Sequence, residues 1–234
     1  MTQGRGALEF RRPAPTIETR GDGCRAKEAK VELDRINTQF GEQPDRLVDW
    51  ALGLGKRSIV TTNFGPFSAV LLHMVTQVRP DIPVLMVDSG YGTEATYRYA
   101  DELTRRLGLN LHTYLPRRTR AMREALEGPA PLPDDPRHAA FTEEVKLEPF
   151  ARAIAELKPE VWFTALREEQ TAFRAGLAPV TLSKEGILKV SPVFHWSSKR
   201  MHEYLQAHGL PNNFDYYDPT KVEDKRECGL HMAH

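Results

Sequence analysis

Residues suited to chemistry occur in a few short stretches of this 234-residue chain. The most reactive is Lys225-Arg226-Glu227-Cys228-Gly229-Leu230-His231 near the C-terminus. A thiol beside a lysine and an arginine, three residues from His231, has neighbours that favour the thiolate, which is the nucleophilic form. Gly229 leaves space next to the sulfur. A cysteine in a polar tail can equally be an exposed bystander, and the local sequence leaves both readings open. A second stretch is Leu166-Arg167-Glu168-Glu169-Gln170, followed by Arg174. Two arginines just after an apolar Val-Trp-Phe run suit bidentate contacts to phosphate or sulfate. A solvated helix face is the alternative. Pro116-Arg117-Arg118-Thr119-Arg120 is a further basic cluster, to be read either as an anion contact or as surface charge.

Two loops carry polar groups rather than charge clusters. Thr61-Thr62-Asn63-Phe64-Gly65-Pro66 joins a β-rich run to a helical pattern. Backbone N–H groups at such a turn, with the positive end of the next helix, make an anion pocket, and Thr61, Thr62 and Ser68 add hydroxyls. No Gly-Lys-Ser/Thr follows the glycine, so the loop is not of the Walker type; an ordinary strand-to-helix turn is the other reading. Asp88-Ser89-Gly90 ends a second apolar run. Its carboxylate can accept from a ribose or an amide, or cap the next helix.

The elements that position these loops follow from periodicity. Short β-rich or apolar runs at 58–62, 82–87, 109–114, 161–165 and 188–193 read as strands. Helical patterns run from residue 27, then over 44–54, 68–77, 93–107, 142–157 and 197–208, the last with Ser197 as N-cap and Gly209 as its stop. Residues 129–137 hold four prolines and read as a loop. Strands alternating with helices through short connections predict an α/β fold with a doubly wound, mostly parallel sheet and helices on both faces. Ligands in such sheets bind at the carboxyl ends of strands, where the loops above fall. The expected organisation is a flexible N-terminal arm (residues 1–26), one α/β binding domain (27–210) and a C-terminal tail carrying Cys228 (211–234).

Bulk composition excludes several classes. Lys+Arg and Asp+Glu are balanced at 32 each, which does not suggest wholesale binding to nucleic acid or an acidic membrane. No apolar run approaches the ~20 residues needed to span a bilayer, and residues 1–12 show no secretory pattern. The two cysteines, Cys24 and Cys228, are too few for a disulfide framework or for a zinc or iron–sulfur site built from one chain. Cys24 is read as a bystander, and the chain as cytoplasmic.

Taken in order, the motifs resemble those of the phosphoadenylyl-sulfate and adenylyl-sulfate reductase family. Thr61–Gly65 is similar to that family's modified PP-loop. The stretch from Ile82-Pro83-Val84 through Asp88-Ser89-Gly90-Tyr91 to Thr96-Tyr97-Arg98 resembles its second-strand block. Lys146-Leu147-Glu148-Pro149 resembles its Lys-Val-x-Pro element, and Arg167 to Gln170 with Arg174 its Arg-x-x-Gln-x-x-x-Arg stretch. Glu227-Cys228-Gly229-Leu230-His231 matches its C-terminal signature as it stands. The resemblance runs from about residue 27 to the end.

What the resemblance implies is a thioredoxin- or glutaredoxin-dependent reduction of an adenylylated sulfate to sulfite, with Cys228 as nucleophile and an S-sulfocysteine intermediate. Thr61, Thr62, Phe64 and Gly65 would hold the adenosine side or a phosphate, and Asp88 and Gly90 would line the nucleotide. Lys146, Arg167 and Arg174 would neutralise the phosphosulfate, and His231 would support Cys228 or the leaving group. Members with a [4Fe–4S] cluster carry a Cys-Cys pair before the Lys-x-x-Pro element and a later Cys-x-x-Cys. Here Phe141 and Thr142 precede two glutamates and Lys146, and no later pair exists, so no bound cofactor or cluster is expected. That favours 3′-phosphoadenylyl sulfate as substrate, with adenylyl sulfate as the alternative. The family's Gly-Tyr-x-Ser-Ile/Val-Gly element before the cysteine is missing; Pro211-Asn212-Asn213-Phe214-Asp215-Tyr216-Tyr217-Asp218-Pro219-Thr220-Lys221 stands there instead. Expected partners are the substrate and thioredoxin, with a possible homo-oligomer. An ATP pyrophosphatase of the PP-loop type is a weaker reading, because Pro66 removes a backbone donor. A non-catalytic nucleotide-binding module would need no thiol.

Overall fold

The computed structural model describes residues 23–221, with side chains from Lys30 onward. In chain order the elements are α1 (Gly23–Phe40), α2 (Pro44–Gly53), β1 (Ser58–Thr62), α3 (Ser68–Val78), β2 (Pro83–Val87), α4 (Glu94–Leu107), β3 (Asn110–Tyr114), α5 (Arg120–Glu127), α6 (His138–Thr142), a π-turn (Glu143–Leu147), α7 (Glu148–Leu157), β4 (Val161–Phe163), β5 (Val180–Leu182), β6 (Leu188–Val190) and α8 (Ser198–Ala207). The six strands form one sheet in the order β3-β2-β1-β4-β6-β5, parallel except for the antiparallel β5 at the edge.

Side chains alternate across this sheet with the period of two that a strand imposes. Val60, Val84 and Phe163 face one layer, where they pack with residues of α1, α2, α3, α4 and α8. Ile59, Leu85 and Trp162 face the other, against Ala153, Phe150 and Ile154 of α7. Both faces are covered, so the strands read as nearly continuous apolar runs. Each fully buried side chain of this kind contributes about 1.5–3 kcal/mol of transfer free energy.

The helix ends follow from local chemistry. Thr93 caps α4 by accepting from the Thr96 N–H at 3.1 Å, and Ser197 caps α8 in the same way through Arg200. Gly108 and Gly209 take left-handed φ of 62° and 60° where α4 and α8 end.

Four elements differ from the sequence expectation. The helix expected over 142–157 is broken into α6, the π-turn and α7. Pro149 has no N–H for the Val145 carbonyl and its ring crowds that oxygen, so the preceding turn widens and the Glu148 N–H reaches back to Glu143 O. Helix α5 was not expected; Ala121, Met122, Ala125 and Leu126 share one face, but Met122 and Leu126 are exposed and its one buried residue is Arg123. Strand β5 has three residues and pairs only at the sheet edge, too short for periodicity to show. Helix α1 begins at Gly23, four residues before the expected start.

Candidate active site

Going outward from β1, the strand order reverses: β2 lies on one side and β4 on the other. A crevice opens outside the carboxyl ends of the strands at such a switch point. Here it is a cleft of about 440 Å³, whose lining includes Thr61, Thr62, Lys146, Arg167, Arg174 and Lys221.

The β1–α3 loop does not offer the backbone anion pocket its sequence suggested. The Phe64 N–H donates to Thr62 Oγ1 at 3.0 Å, Gly65 N–H to Asn63 Oδ1 at 3.0 Å, and Phe67 N–H to Asn212 Oδ1 at 2.8 Å. These donors are already satisfied by short polar side chains, which compete with any ligand for them. What the loop presents to the cleft is hydroxyl. Thr61 Oγ1 accepts from the Trp162 indole at 2.8 Å, which orients its own O–H away from the ring.

Phe64 is fully buried, with its ring edge-on to Tyr99, and it takes a left-handed φ of 50°. Its side chain therefore belongs to the core and not to the cleft. Gly65 is covered by Tyr216: a Cβ at this position would lie 3.1 Å from the Tyr216 ring. Its lack of a side chain seats the C-terminal segment.

Asp88 closes the turn after β2. Its Oδ1 accepts from the Gly90 N–H at 2.8 Å and from the Tyr97 hydroxyl at 2.8 Å, and Gly90 takes φ of 81°. The cap of α4 is Thr93, so Asp88 is not the helix cap that its position allowed. Burial first, then the bond to Asp88, pushes the Tyr97 hydroxyl up to about 12. Asp88 lines a smaller space of about 50 Å³ with Asn63, Lys146, Tyr216 and Asp218, next to the main cleft. Gly90 packs against Arg120 instead.

The cations converge from three devices. Lys146 sits in the π-turn before α7. Arg167 follows β4 and is 6% exposed. Its Nη1 donates to Glu169 Oε1, to Trp196 O at 3.3 Å and to Ser198 Oγ at 3.2 Å, and its guanidinium lies 5.4 Å from the centre of the Phe67 ring. Burial pushes its pKa down, opposed by the nearby Glu169 carboxylate. Arg174, in the next short turn, is oriented by Gln170 Oε1. The cluster at 116–120 is not part of this site: Arg117 pairs with Glu148, Arg118 with Glu144 and Glu127, and Arg120 with Glu124.

Residues 211–221, read from sequence only as a polar tail, form a wall of the site. Asn213 is 5% exposed and donates to Phe64 O and to Thr96 Oγ1, both at 3.0 Å. The Thr93 hydroxyl donates to Asp215 O at 2.7 Å. Tyr216 meets Asn63 Nδ2 at 2.8 Å. Asp218 pairs with Lys146, whose ammonium also donates to Thr220 Oγ1 at 3.0 Å. Burial acts to raise the Asp218 carboxyl, but the Lys146 charge and the Thr220 donors outweigh it, and the net shift is downward. These contacts have no periodicity and link positions 72 to 153 residues apart, so no local signal in the sequence marks them. Cys228 and His231 lie outside the described residues, as does the N-terminal arm up to residue 22. Among the described residues no three His, Cys, Asp or Glu side chains form a metal-sized group, and no helix is long and apolar enough to cross a membrane.

The sequence and fold match known proteins. The family model described as the phosphoadenosine phosphosulfate reductase domain matches residues 57–217. A phosphoadenosine 5′-phosphosulfate reductase of Xanthomonas euvesicatoria is 37% identical over 224 residues, spanning 86% of this chain and 92% of the relative. One from Citrobacter koseri is 36% identical over 228 residues, spanning 87% and 93%. A crystal structure of the phosphoadenylyl-sulfate reductase from Candida auris, in complex with phosphate, superposes with a TM-score of 0.68 at 22% identity, covering 79% of this chain and 89% of that one, which shows the shared fold. The match over residues 57–217 takes in the cleft's strand ends and all three expected cations, and the chain belongs to the phosphoadenosine phosphosulfate reductase family.

Proposed function

We propose that this protein reduces 3′-phosphoadenylyl sulfate to sulfite and adenosine 3′,5′-bisphosphate, using a thioredoxin or glutaredoxin dithiol as reductant in the cytoplasm. The observation that carries this reading is the convergence of Lys146, Arg167 and Arg174 on one cleft at the switch point, inside the region that matches the family. A sulfonucleotide needs that charge: its phosphate and sulfate oxygens are anionic, and the displaced phosphate gains charge as it leaves.

The Cys228 thiolate attacks the sulfonyl sulfur. A sulfur–oxygen bond to the phosphate breaks and adenosine 3′,5′-bisphosphate departs, leaving an S-sulfocysteine. A thiolate of the reductant then attacks the Cys228 sulfur, forming a mixed disulfide and releasing sulfite. The second thiol of the reductant resolves that disulfide and restores Cys228. Two electrons pass from the dithiol to the sulfur, and no resident cofactor is required. Arg167 and Arg174 would hold the phosphosulfate, with Lys146 beside them. Thr61 and Thr62 would offer hydroxyls and Asp88 an acceptor for the ribose. His231 would protonate or steady the departing charge. Lys221 lines the cleft. Cys228 follows seven residues later. An extended chain of that length reaches at most about 25 Å, long enough to bring the sulfur to the cleft as the proposal requires.

The test is a sulfite-release assay with thioredoxin, run side by side on 3′-phosphoadenylyl sulfate and adenylyl sulfate. Sulfite from the first substrate, lost in Cys228→Ser while nucleotide binding persists, is the expected result. Full activity of Cys228→Ser would remove the assignment. Preference for adenylyl sulfate would move the substrate assignment to the unphosphorylated nucleotide.

A further inference from the structure

In the cleft the ammonium of Lys146 already has an anion. The carboxylate of Asp218 is paired with it, and the two side chains are 7% and 13% exposed respectively. Both line the cleft in which the substrate is proposed to sit. A sulfate or phosphate oxygen therefore reaches Lys146 only by taking the place of Asp218 or sharing its cation.

The carboxylate can move without unseating the segment that carries it. Its other contacts are local: Asp218 Oδ1 accepts from Thr220 N–H at 3.1 Å and from Thr220 Oγ1 at 2.6 Å. The segment itself is held elsewhere, through Asn212 to Phe67 N–H, Asn213 to Phe64 O and Thr96, Thr93 to Asp215 O, and His138 to Pro219 O at 3.1 Å. Tyr216 also touches Asp218, at 3.3 Å.

We infer that Asp218 is the internal counter-ion of the substrate site, competing with the anionic group of the nucleotide for Lys146. This rests on the sulfonucleotide reading of the cleft. The carboxylate keeps a mostly buried lysine neutralised, where an unpaired charge would be costly. It also makes the site selective, because only a ligand whose anion outcompetes a tethered carboxylate gains the lysine, and an uncharged nucleoside does not.

The test is calorimetric binding of adenosine 3′,5′-bisphosphate, with adenosine as the uncharged control, to the full chain and to Asp218→Asn. Removing the competitor strengthens bisphosphate binding by on the order of ten- to a hundredfold, the scale of one charge-assisted hydrogen bond, and leaves adenosine unchanged. A general change in cleft potential would also strengthen binding, so the same substitution is repeated in Lys146→Met. The gain disappears there under direct competition and persists under a general field effect. Asp218→Ser, which keeps a hydroxyl for Thr220, gives a second variant should Asp218→Asn not fold. Equal or weaker bisphosphate binding by these variants, or a gain that survives Lys146→Met, overturns the inference. A wild type that binds no bisphosphate would remove the functional reading and this inference together. A wild type that binds it, with no gain in the variants, removes this inference alone.

Discussion

Replacing Arg167 by methionine separates the structural part of this residue from its proposed part in the reaction. The side chain is 6% exposed, so methionine keeps most of its packing volume. The substitution removes two long hydrogen bonds, to Trp196 O at 3.3 Å and Ser198 Oγ at 3.2 Å, together worth about 1 kcal/mol. It also removes the pair with Glu169, whose side chain is 39% exposed, so this partner is solvent-screened and contributes below about 1 kcal/mol. Glu169 is not orphaned, because it still accepts from Ser198 N–H at 2.9 Å and Ser198 Oγ at 2.7 Å. Relief of the buried guanidinium's desolvation works the other way. The net loss of stability is therefore about 1–2 kcal/mol, small against the ~5–15 kcal/mol of a folded domain. Under the proposed role, the loss of a fork that would grip phosphosulfate is larger, about 3 kcal/mol or more, which lowers kcat/KM on the order of a hundredfold. Arg167→Lys keeps the charge without the fork and falls between. Urea unfolding measures the first quantity and sulfite release the second. An unfolded Arg167→Met protein, or one with unchanged kcat/KM, would refute the division.

Thr93→Ala destabilises more than Ser197→Ala in thermal unfolding: each loses an N-cap worth about 1 kcal/mol, but only Thr93 also anchors Asp215 O of the wall segment. Equal shifts would place the wall segment's anchor elsewhere. His73 is held below its ordinary pKa by burial, then by His208 and Arg106, so it takes up its proton more readily when unfolded. Its stabilising contribution is present above the ordinary histidine pKa of about 6.5 and is lost as the pH falls through that value toward the folded one. Unfolding free energies at pH 7.5 and 5.5 show this loss, and His73→Phe reduces it; an identical pH dependence in the variant would count against it. Asp218 has the same sign at lower pH, because its folded pKa lies below its unfolded one. Its contribution fades as the pH falls below about 4, and Asp218→Asn removes that part of the acid limb. Cys24→Ser retains full sulfite release, and a loss would give that thiol a role.

The parallel sheet and its loops were legible because buried strands and capped helices have short-range signatures. Residues 58–62 read as a strand and form β1, and Ser197 reads as a cap and caps α8. Lys146, Arg167 and Arg174 were found as candidates by motif and do line one cleft. For Phe64 the motif gives a position, while the direction of the side chain depends on the loop's φ of 50°, which turns this ring into the core. The wall segment at 211–221 was illegible because its burial comes from single polar side chains meeting distant loops, as Asn213 meets Phe64 O. The π-turn follows from Pro149, whose helix-breaking chemistry is readable, but its outcome depends on the helix being held on both sides.

Occupied backbone donors in the β1–α3 loop change how this cleft must recognise an anion. A nest of free N–H groups would bind phosphate through fixed dipoles with no counter-ion to displace. With Phe64, Gly65 and Phe67 N–H groups taken, neutralisation falls on side-chain cations. These differ in how firmly they are set. Arg167 is held by Glu169, Trp196 O and Ser198 and needs little reorganisation to meet charge developing on a leaving phosphate, which is what lowers a barrier. Lys146 is held by a carboxylate that must give way. On the proposed function, a preset arginine would serve the chemical step, and an exchangeable lysine would serve discrimination at binding. Loss of Arg167 should thus appear mainly in kcat, and loss of Asp218 in nucleotide affinity, so the two substitutions separate catalysis from selection within one cleft.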